Sequence, residues 1–485
     1  MSEESLKRKT VKGVGWSAVD NVAHFGVTFV VGIVLARLLT PDDYGLIGIL
    51  TIFISVFNAI VDSGFKNALI RKHNAQEIDF CTVFYTNLAL SVFLAAALFF
   101  CARPIANFFG REELVDMTRV MSSIVVINAF AIVQNVRLTK RIDFKTQAKI
   151  TFTASVLSGI IGIILAYHGF GVWSLVAQQI SSRIFVTLLL WYFNKWFPSL
   201  SFSWSSLREM WSFGWKLLVS HLIDTTWKEI YQVVVGKCYS PQTLGLYTRA
   251  KQFSQMFSSN LTSVVQRVSF PVLSSIQDDK VRLKSAYQRI IRNTMFPTFV
   301  LMIGMAACAK PMVLCLIGEK WLGCATFLQM ICFSGMLYPL HAINLNMLQV
   351  QGRSDLFLKL EIIKKCIAVG PLLLGIFVSI YWMVAGSIVT GWIAYYLNAY
   401  YSGPFLNYSI KDQIKDILPS LGVAITMAIP VFLMSFIPIT PYILFPSQII
   451  VGAILTILIC KKLNLPEYHE LKGIVLPAIR KVLHR

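Results

Sequence analysis

The stretch EMWSFGWKLLVSHLIDTTWKEIYQVVVGKCYSPQTLGL (residues 209–246) decides how the rest of the sequence is interpreted. It has the length and apolar character of a membrane-spanning helix, yet it carries Lys216, His221, Asp224, Lys228 and Glu229. An ionisable side chain at bilayer depth costs about 3 kcal/mol, so such groups usually face a bundle interior or a wet cavity. Because successive helical residues turn by about 100°, His221, Asp224 and Lys228 share one face. That face is the first candidate for a solute pathway.

The beginning of the chain contains a second copy of the end of this stretch. The segment LTPDDYGL (39–46) recurs 200 residues later as YSPQTLGL (239–246). Either these matches are coincidences among common residues, or a block of about six helices was duplicated, as in many secondary transporters. We predict the duplication, with lobes over residues 1–200 and 201–408 and a C-terminal segment over 409–485. The matching pairs are Pro41 with Pro241, Gly45 with Gly245, Leu46 with Leu246, Arg37 with Lys237, and Gly15-Trp16 with Gly214-Trp215.

The composition is that of a polytopic membrane protein. Of the 485 residues, 56% are hydrophobic and 14% are charged, and a soluble globule has nearly twice that charged fraction. Apolar runs of about 20 residues predict an all-α integral membrane protein with about fourteen transmembrane helices. The opening MSEESLKRKT leads into an apolar run that is too long for a signal peptide, so the N-terminus is expected to stay in the cytoplasm.

The basic residues follow the positive-inside pattern. The net charge is +20, but Lys and Arg are spread over every second short loop rather than gathered in a soluble domain, which argues against a nucleic-acid partner. This alternation predicts a multi-pass protein with both termini in the cytoplasm. The nine cysteines include no C-x-x-C pair, so we expect neither a disulfide framework nor a metal site.

Polar residues at bilayer depth concentrate in four helices, the first two of each predicted lobe. Basic groups outnumber the carboxylates Asp20, Asp62, Asp224 and Glu229, which predicts an anionic substrate, since Arg in particular suits phosphate and carboxylate. Asn58, Asp62 and Lys66 follow one another at i+4 spacing. The predicted substrate-binding residues are Lys66, Lys216, Lys228, Arg249, Lys251 and Arg267.

Two acid–imidazole pairs are candidates for ion coupling. Asp20 with His24, or Asp224 with His221, could titrate near neutral pH and couple transport to a proton. The alternative is that all these buried charges form interhelical ion pairs or reach the membrane surface as snorkelling side chains, with Lys66 and Arg267 the strongest cases. Beyond a coupling ion, H⁺ or Na⁺, no cofactor is expected.

Enzyme activity is not expected. The sequence contains no G-x-x-x-x-G-K-[ST] loop for nucleotide phosphates, and no H-E-x-x-H or G-x-S-x-G motif. The loops predicted to lie outside the cell are short, whereas a membrane glycosyltransferase or polymerase is expected to have a large one.

Several segments resemble the polysaccharide exporter family, the Wzx-type flippases, and especially its colanic-acid-exporter-like branch. This family belongs to the multidrug, oligosaccharidyl-lipid and polysaccharide exporter (MOP) superfamily, which includes the MATE transporters. The segments that carry the resemblance are LARLLTPDDYGLIGI (35–49), VDSGFKNALIRK (61–72), VRLTKRIDFK (136–145), GFGVWSLVAQQI (169–180), SPQTLGLYTRAKQ (240–252), SFPVLSSIQDD (269–279) and GRSDLFLK (352–359).

The resemblance implies two pseudo-symmetric six-helix lobes around a central cavity, followed by two further helices. It also implies outward movement of undecaprenyl-diphosphate-linked repeat units of O-antigen, capsule or exopolysaccharide across the bacterial inner membrane, with polysaccharide polymerase machinery and membrane lipids as partners. Lys216, Lys228 and Arg249 would capture the diphosphate, and an ion near Asp20 or Asp224 would reset the cycle. The rival functions are a MATE-like antiporter of cationic drugs, which the basic excess disfavours, and a passive scaffold for a polysaccharide-synthesis complex.

Overall fold

The structure, a computed structural model, describes residues 25–72 and 74–473. Within these ranges it does not describe the side chains of Ser63, Phe213, Asn260, Val264, Arg267, Val268 and Ser354. Every regular element in the described ranges is a helix, which confirms the prediction of an all-α protein.

The chain divides into two compact units, Met1–Gly245 and Leu246–Arg485. The described part of the first unit contains α1 (Phe25–Leu38), α2 (Pro41–Arg71), α3 (Glu77–Phe100), α4 (Ala102–Phe109), α5 (Leu114–Met121), α6 (Ser123–Lys140), α7 (Phe144–Tyr167), α8 (Val172–Asn194) and α9 (Trp204–Cys238). The predicted boundaries at residues 200 and 408 concern a different division, into pseudo-symmetric lobes, and stay a prediction.

The second unit begins inside α10 (Pro241–Ser275) and is also helical throughout its described regular elements. Short 3₁₀ turns lie at Glu319–Trp321, Pro404–Leu406 and Met434–Phe436. The other helices are α11 (Lys280–Ala307), α12 (Ala309–Leu316), α13 (Leu322–Gly335), α14 (Tyr338–Val350), α15 (Ser354–Phe377), α16 (Ile380–Ser402), α17 (Ile410–Leu433), α18 (Pro441–Lys462) and α19 (466–473).

Many of these helices suit a bilayer. Among the described residues, 10 helical segments are long and apolar enough to cross a membrane, and α1 is a shorter apolar helix. The long helices α9, α10 and α15 interrupt their apolar runs with ionisable or polar residues. The protein is therefore a multi-pass membrane protein, while the exact number of about fourteen spans stays a prediction.

The repeated sequence motif is a helix start. Thr40 caps α2 through a capping box, in which its backbone N–H donates to Asp43 Oδ2 at 2.8 Å. Pro41 then occupies the first helical position, where a missing N–H costs nothing. At the start of α10, Ser240 Oγ accepts from the Thr243 N–H at 3.2 Å and Pro241 follows. Both copies of the motif thus begin a helix in the same manner.

The two copies also pack against each other. A Cβ atom on Gly45 would overlap the carbonyl oxygen of Pro241, and a Cβ atom on Gly245 would overlap the carbonyl oxygen of Pro41. The contact is therefore reciprocal, and only glycine allows the two backbones to approach so closely. We call this contact between Pro41, Gly45, Pro241 and Gly245 the glycine seam.

From the glycine seam, α2 and α9 run antiparallel along each other. A Cβ atom on Gly214 would lie 2.7 Å from the Gly64 carbonyl oxygen, so a second pair of glycines brings these helices together. At the far end, Lys72 Nζ lies 2.9 Å from Glu209 Oε2 and 3.1 Å from Asp79 Oδ1. The hydrogen bond from Lys72 to Glu209 raises the pKa of this ammonium group. The ion pairs fix the far end of α9 to α2 and α3.

A second anchor lies near that end of the first unit. The Arg137 guanidinium lies between two rings, 5.2 Å from the centroid of Phe80 and 5.1 Å from that of Trp196. Its Nη1 donates to Glu77 Oε1 at 2.9 Å, and Trp196 Nε1 donates to Glu77 Oε2 at 2.7 Å. One arginine thereby joins α3, α6 and the segment after α8.

This anchor gives a stability prediction. We expect Arg137→Ala to destabilise the protein by about 2 kcal/mol, because it removes two cation–π contacts and leaves Glu77 with fewer partners. The measurement is the apparent melting temperature of the purified protein in detergent. Lys149→Ala, which changes an exposed cation of the same unit, is the control. Equal melting temperatures for the two variants would contradict the assigned role of Arg137.

Candidate functional site

The predicted site residues are distributed over both units. Lys66 lies on α2, and Lys216, His221, Asp224 and Lys228 lie on α9, so this part of the site belongs to the first unit. Arg249 and Lys251 lie on α10 in the second unit. The remaining predicted residues, Asp20 and His24 and the side chain of Arg267, lie outside the described part of the chain.

The polar face of α9 holds a local ion pair. Lys228 Nζ lies 2.6 Å from Asp224 Oδ2, one helical turn away, and both side chains are about half exposed. Lys216 and His221 are exposed on the same helix. Because Asp224 is already balanced by Lys228, its electrostatic effect on a ligand is reduced. Lys216 adds an exposed cation to this stretch of α9, which also carries the carboxylate of Glu229.

A cluster of amides surrounds the carboxylate of Asp62. Asn128 Nδ2, on α6, lies 3.2 Å from Asn58 Oδ1 and 3.3 Å from Asp62 Oδ1, both on α2. Asp62 and Asn128 are partly buried, so these hydrogen bonds replace bonds to water that burial removes. We call Asn58, Asp62 and Asn128 the Asp62 cluster.

Cationic and titratable groups converge on the Asp62 cluster from three helices. Lys66 on α2, Arg183 on α8 and His221 on α9 all interact electrostatically with the Asp62 carboxylate. One carboxylate within electrostatic range of a lysine and an arginine leaves the region with a positive balance. Such an arrangement can hold an anion while Asp62 keeps the cations in place.

Sequence reasoning identified the row of Asn58, Asp62 and Lys66 but not its partners. Asn128 and Arg183 are polar residues within apolar runs of α6 and α8, and this was the one signal that could have revealed them. Their spacing to Asp62 along the chain carries no information about contact. Only the packing of α6 and α8 beside α2 brings them to the carboxylate.

Arg249 is buried among local partners in the second unit. Its side chain is 7% exposed, its Nη1 donates to Gln252 Oε1 at 3.0 Å, and its Cζ lies 4.9 Å from the centroid of Phe253. Arg249 therefore packs within the second unit, and substrate binding by Arg249 and by the partly buried Lys251 stays a prediction.

An apolar groove of about 540 Å³ lies beside α18 in the second unit. It is lined by α10, α11, α12, α17 and α18. Its one amide, Gln448, donates to the Val431 carbonyl at 2.7 Å and to Ser435 Oγ at 2.9 Å. The amide nitrogen is thus engaged within the protein, whereas the buried Gln448 Oε1 has no hydrogen-bond partner among the described residues. The rest of the lining is almost entirely apolar, so the groove offers a hydrocarbon surface. We call it the α18 groove.

Solved structures with the same fold define the class of protein. The chain superimposes on "Lipid II flippase MurJ, inward closed conformation" with a TM-score of 0.74 over 95% of this chain and 99% of the other, at 13% sequence identity. An inward-facing multidrug resistance MATE family transporter of the MOP superfamily gives a TM-score of 0.61 over 79% and 94% of the two chains, at 17% identity. The chain therefore has the same fold as these two proteins.

Sequence comparison then gives the family. Residues 34–326 match the model of the family described as "Polysaccharide biosynthesis protein", and the chain belongs to this family. The succinoglycan biosynthesis transport protein ExoT of Rhizobium meliloti is 27% identical over 337 residues, which cover 69% of this chain and 68% of ExoT. The lipopolysaccharide biosynthesis protein WzxC of Escherichia coli is 23% identical over 375 residues, or 76% of each chain. These relatives agree with the polysaccharide exporter family that the sequence motifs suggest.

Proposed function

We propose that this protein is a flippase for undecaprenyl-diphosphate-linked oligosaccharide. It moves a repeat unit of O-antigen, capsule or exopolysaccharide outward across the bacterial inner membrane by alternating access, with both of its termini in the cytoplasm. The observation that carries the proposal is the hydrogen-bonded Asp62 cluster, with Lys66, Arg183 and His221 near enough to interact electrostatically with its carboxylate. The names of the relatives, which concern succinoglycan transport and lipopolysaccharide biosynthesis, support the same substrate class.

The proposed substrate has three chemical parts, and two of them match features of the structure. The diphosphate needs cations, which α2, α8 and α9 supply through Lys66, Arg183 and Lys216. Lys228, Arg249, Lys251 and Arg267 remain in the proposed binding set. The polyprenyl chain needs a hydrocarbon surface, which the α18 groove supplies. The third part, the oligosaccharide, would cross the membrane through the central cavity that the family resemblance implies.

The α18 groove gives a specific prediction. We expect Gly452→Trp to lower export about tenfold, because the new side chain fills the groove where a Cβ atom on Gly452 already contacts Met427 and Val431. Gly422→Trp on α17 is the matched control, since a Cβ atom there meets nothing within 4 Å. Surface polysaccharide per cell, normalised to the amount of protein in the membrane, is the measurement. Equal export by the two variants would show that the lipid chain does not use this groove.

Ion coupling is part of the same proposal. A proton or sodium ion resets the transporter by exchanging at a carboxylate on the inner helices, with Asp20, His24, His221 and Asp224 as the predicted groups. Among the described carboxylates of the first unit we add Asp62, because it is partly buried and faces three cationic or titratable side chains. A change in its charge would therefore alter the balance among α2, α8 and α9.

The test in cells separates the flippase from its rivals. In a strain that lacks this protein, lipid-linked repeat units should accumulate on the cytoplasmic face and surface polysaccharide should disappear, and both defects should be reversed by the parent protein. Unchanged surface polysaccharide together with increased sensitivity to cationic drugs would instead identify a MATE-like antiporter. Restoration by variants that lack the charges of the proposed site would identify a passive scaffold.

A further inference from the structure

A second cavity, of about 770 Å³, lies at the junction of α16 and α17. Its wall includes Tyr396 and Tyr400, whose rings stack with centroids 6.2 Å apart and an interplanar angle of 18°. Both tyrosines are 54% exposed. Lys411 and Ile414, from the first turns of α17, line the opposite side. The cavity therefore combines aromatic, aliphatic and cationic surfaces, and we call it the α16–α17 cavity.

The floor of this cavity is rigid. Gly403 allows a tight turn, because a Cβ atom there would overlap the carbonyl oxygen of Tyr408. Tyr408 is fully buried, its hydroxyl donates to Asp416 Oδ2 at 2.7 Å, and its ring lies 5.8 Å from that of Tyr287. A ligand would consequently find a preformed surface and would not have to order the chain.

Basic side chains from two elements, α17 and α11, lie at the α16–α17 cavity, and a third basic residue lies nearby. Lys411 lines it directly. From α11, Lys284 Nζ donates to the carbonyl oxygen of Asn407, which also lines the cavity, at 2.6 Å. From the turn before α15, the Arg353 guanidinium lies 5.8 Å from the ring of Phe405. Lys411 and Lys284, which are distant in sequence, thus place positive charge at the cavity.

The neighbouring carboxylates are already engaged. Asp355 accepts a hydrogen bond from Arg353 Nη2 at 2.8 Å. Asp412 accepts from Ser409 Oγ at 2.7 Å and from the Ser409 N–H at 3.0 Å, because it forms the capping box of α17. Neither acid is directed at Lys411, so the positive charge of this lysine is available to a ligand.

We propose that the α16–α17 cavity binds the phosphate headgroup of an anionic glycerophospholipid. Lys411 contacts the phosphate, and the stacked tyrosines and Ile414 cover the glycerol and the first acyl carbons. Tyrosine and lysine are the residues that meet lipid headgroups at the membrane surface. Basic pockets on the cytoplasmic side of helix bundles bind anionic lipids, which enrich that leaflet. This inference does not depend on the identity of the transported substrate.

The experiment measures bound lipid by native mass spectrometry of the full-length purified protein titrated with phosphatidylglycerol. We expect Lys411→Glu to weaken phosphatidylglycerol binding about tenfold, because it reverses one charge at the headgroup. Lys462→Glu, which reverses an exposed lysine at the end of α18, should bind as the parent does. Tyr400→Ala, which removes half of the aromatic wall, should also weaken binding and tests the site without a change of charge.

The comparison ligands distinguish the source of the phosphate. Phosphatidylcholine should bind much more weakly than phosphatidylglycerol, and inorganic phosphate should not displace the lipid. Displacement by inorganic phosphate would assign the cavity to a free anion and overturn the proposal. Equal phosphatidylglycerol binding by Lys411→Glu, Tyr400→Ala and Lys462→Glu would overturn it as well. Export of polysaccharide is measured separately, so failure of this inference leaves the flippase assignment untouched.

Discussion

The substitution Gly45→Leu is expected to lower export about a hundredfold without preventing membrane insertion. Alternating access requires a state in which one end of the bundle is closed, and we infer that the glycine seam is such a closure. A leucine side chain cannot fit where even a Cβ atom overlaps the Pro241 carbonyl oxygen. If the overpacked leucine raises the free energy of the closed state by about 3 kcal/mol, the population of that state falls about a hundredfold.

The reciprocal geometry of the seam supplies a second variant and a control. Gly245→Leu should give the same defect, because its Cβ atom would overlap the Pro41 carbonyl oxygen. Gly370→Leu should export normally, since a Cβ atom at that helical glycine meets nothing within 4 Å. Surface polysaccharide is measured against the amount of folded protein recovered from the membrane. Normal export by Gly45→Leu would show that the seam is not part of the transport cycle.

The substitution Asp62→Asn is expected to lower export by a similar factor, about a hundredfold. It keeps the shape of the side chain and its hydrogen bonds to Asn128, but it leaves Lys66, Arg183 and His221 without the carboxylate that balances them. Any remaining export should no longer depend on an ion gradient. Asp62→Glu should retain part of the activity, because the charge is preserved.

A matched carboxylate controls for the loss of charge alone. Asp116, which is 77% exposed, lies in the same unit, and Asp116→Asn should export at the parental level. If Asp62→Asn also exports at that level and keeps its gradient dependence, the Asp62 cluster is a structural ion network. The passive scaffold would then gain support.

Much of the fold follows from the sequence because the bilayer limits the choices. Long apolar runs in a membrane protein must be helices, and every regular element described is one. The duplicated motif also predicts that α2 and α10 begin alike, and the caps of Thr40 and Ser240 agree with this. Sequence could not predict that the two motifs touch, because periodicity assigns a face to each helix but not the neighbour that this face meets.

The candidate site was harder to predict from the sequence, because helical periodicity does not identify which helices pack against each other. Helical spacing placed Asp224 and Lys228 on one face, and their ion pair is local. Asn128 and Arg183 reach Asp62 from distant parts of the chain, so no spacing rule connects them. The sequence predicts Arg249 as a substrate-binding residue but not its local partners Gln252 and Phe253, which occupy part of its guanidinium. Its proposed contact with substrate therefore requires a direct test.

The most direct test of the central claim uses the purified protein in vesicles that contain lipid-diphosphate oligosaccharide on one face. The measured quantity is the fraction of oligosaccharide that reaches the opposite face, with and without an imposed proton or sodium gradient. The flippase account predicts gradient-dependent translocation that is lost in Asp62→Asn and kept in Asp116→Asn. Absence of translocation by the parent protein, together with gradient-driven movement of cationic dyes, would contradict it.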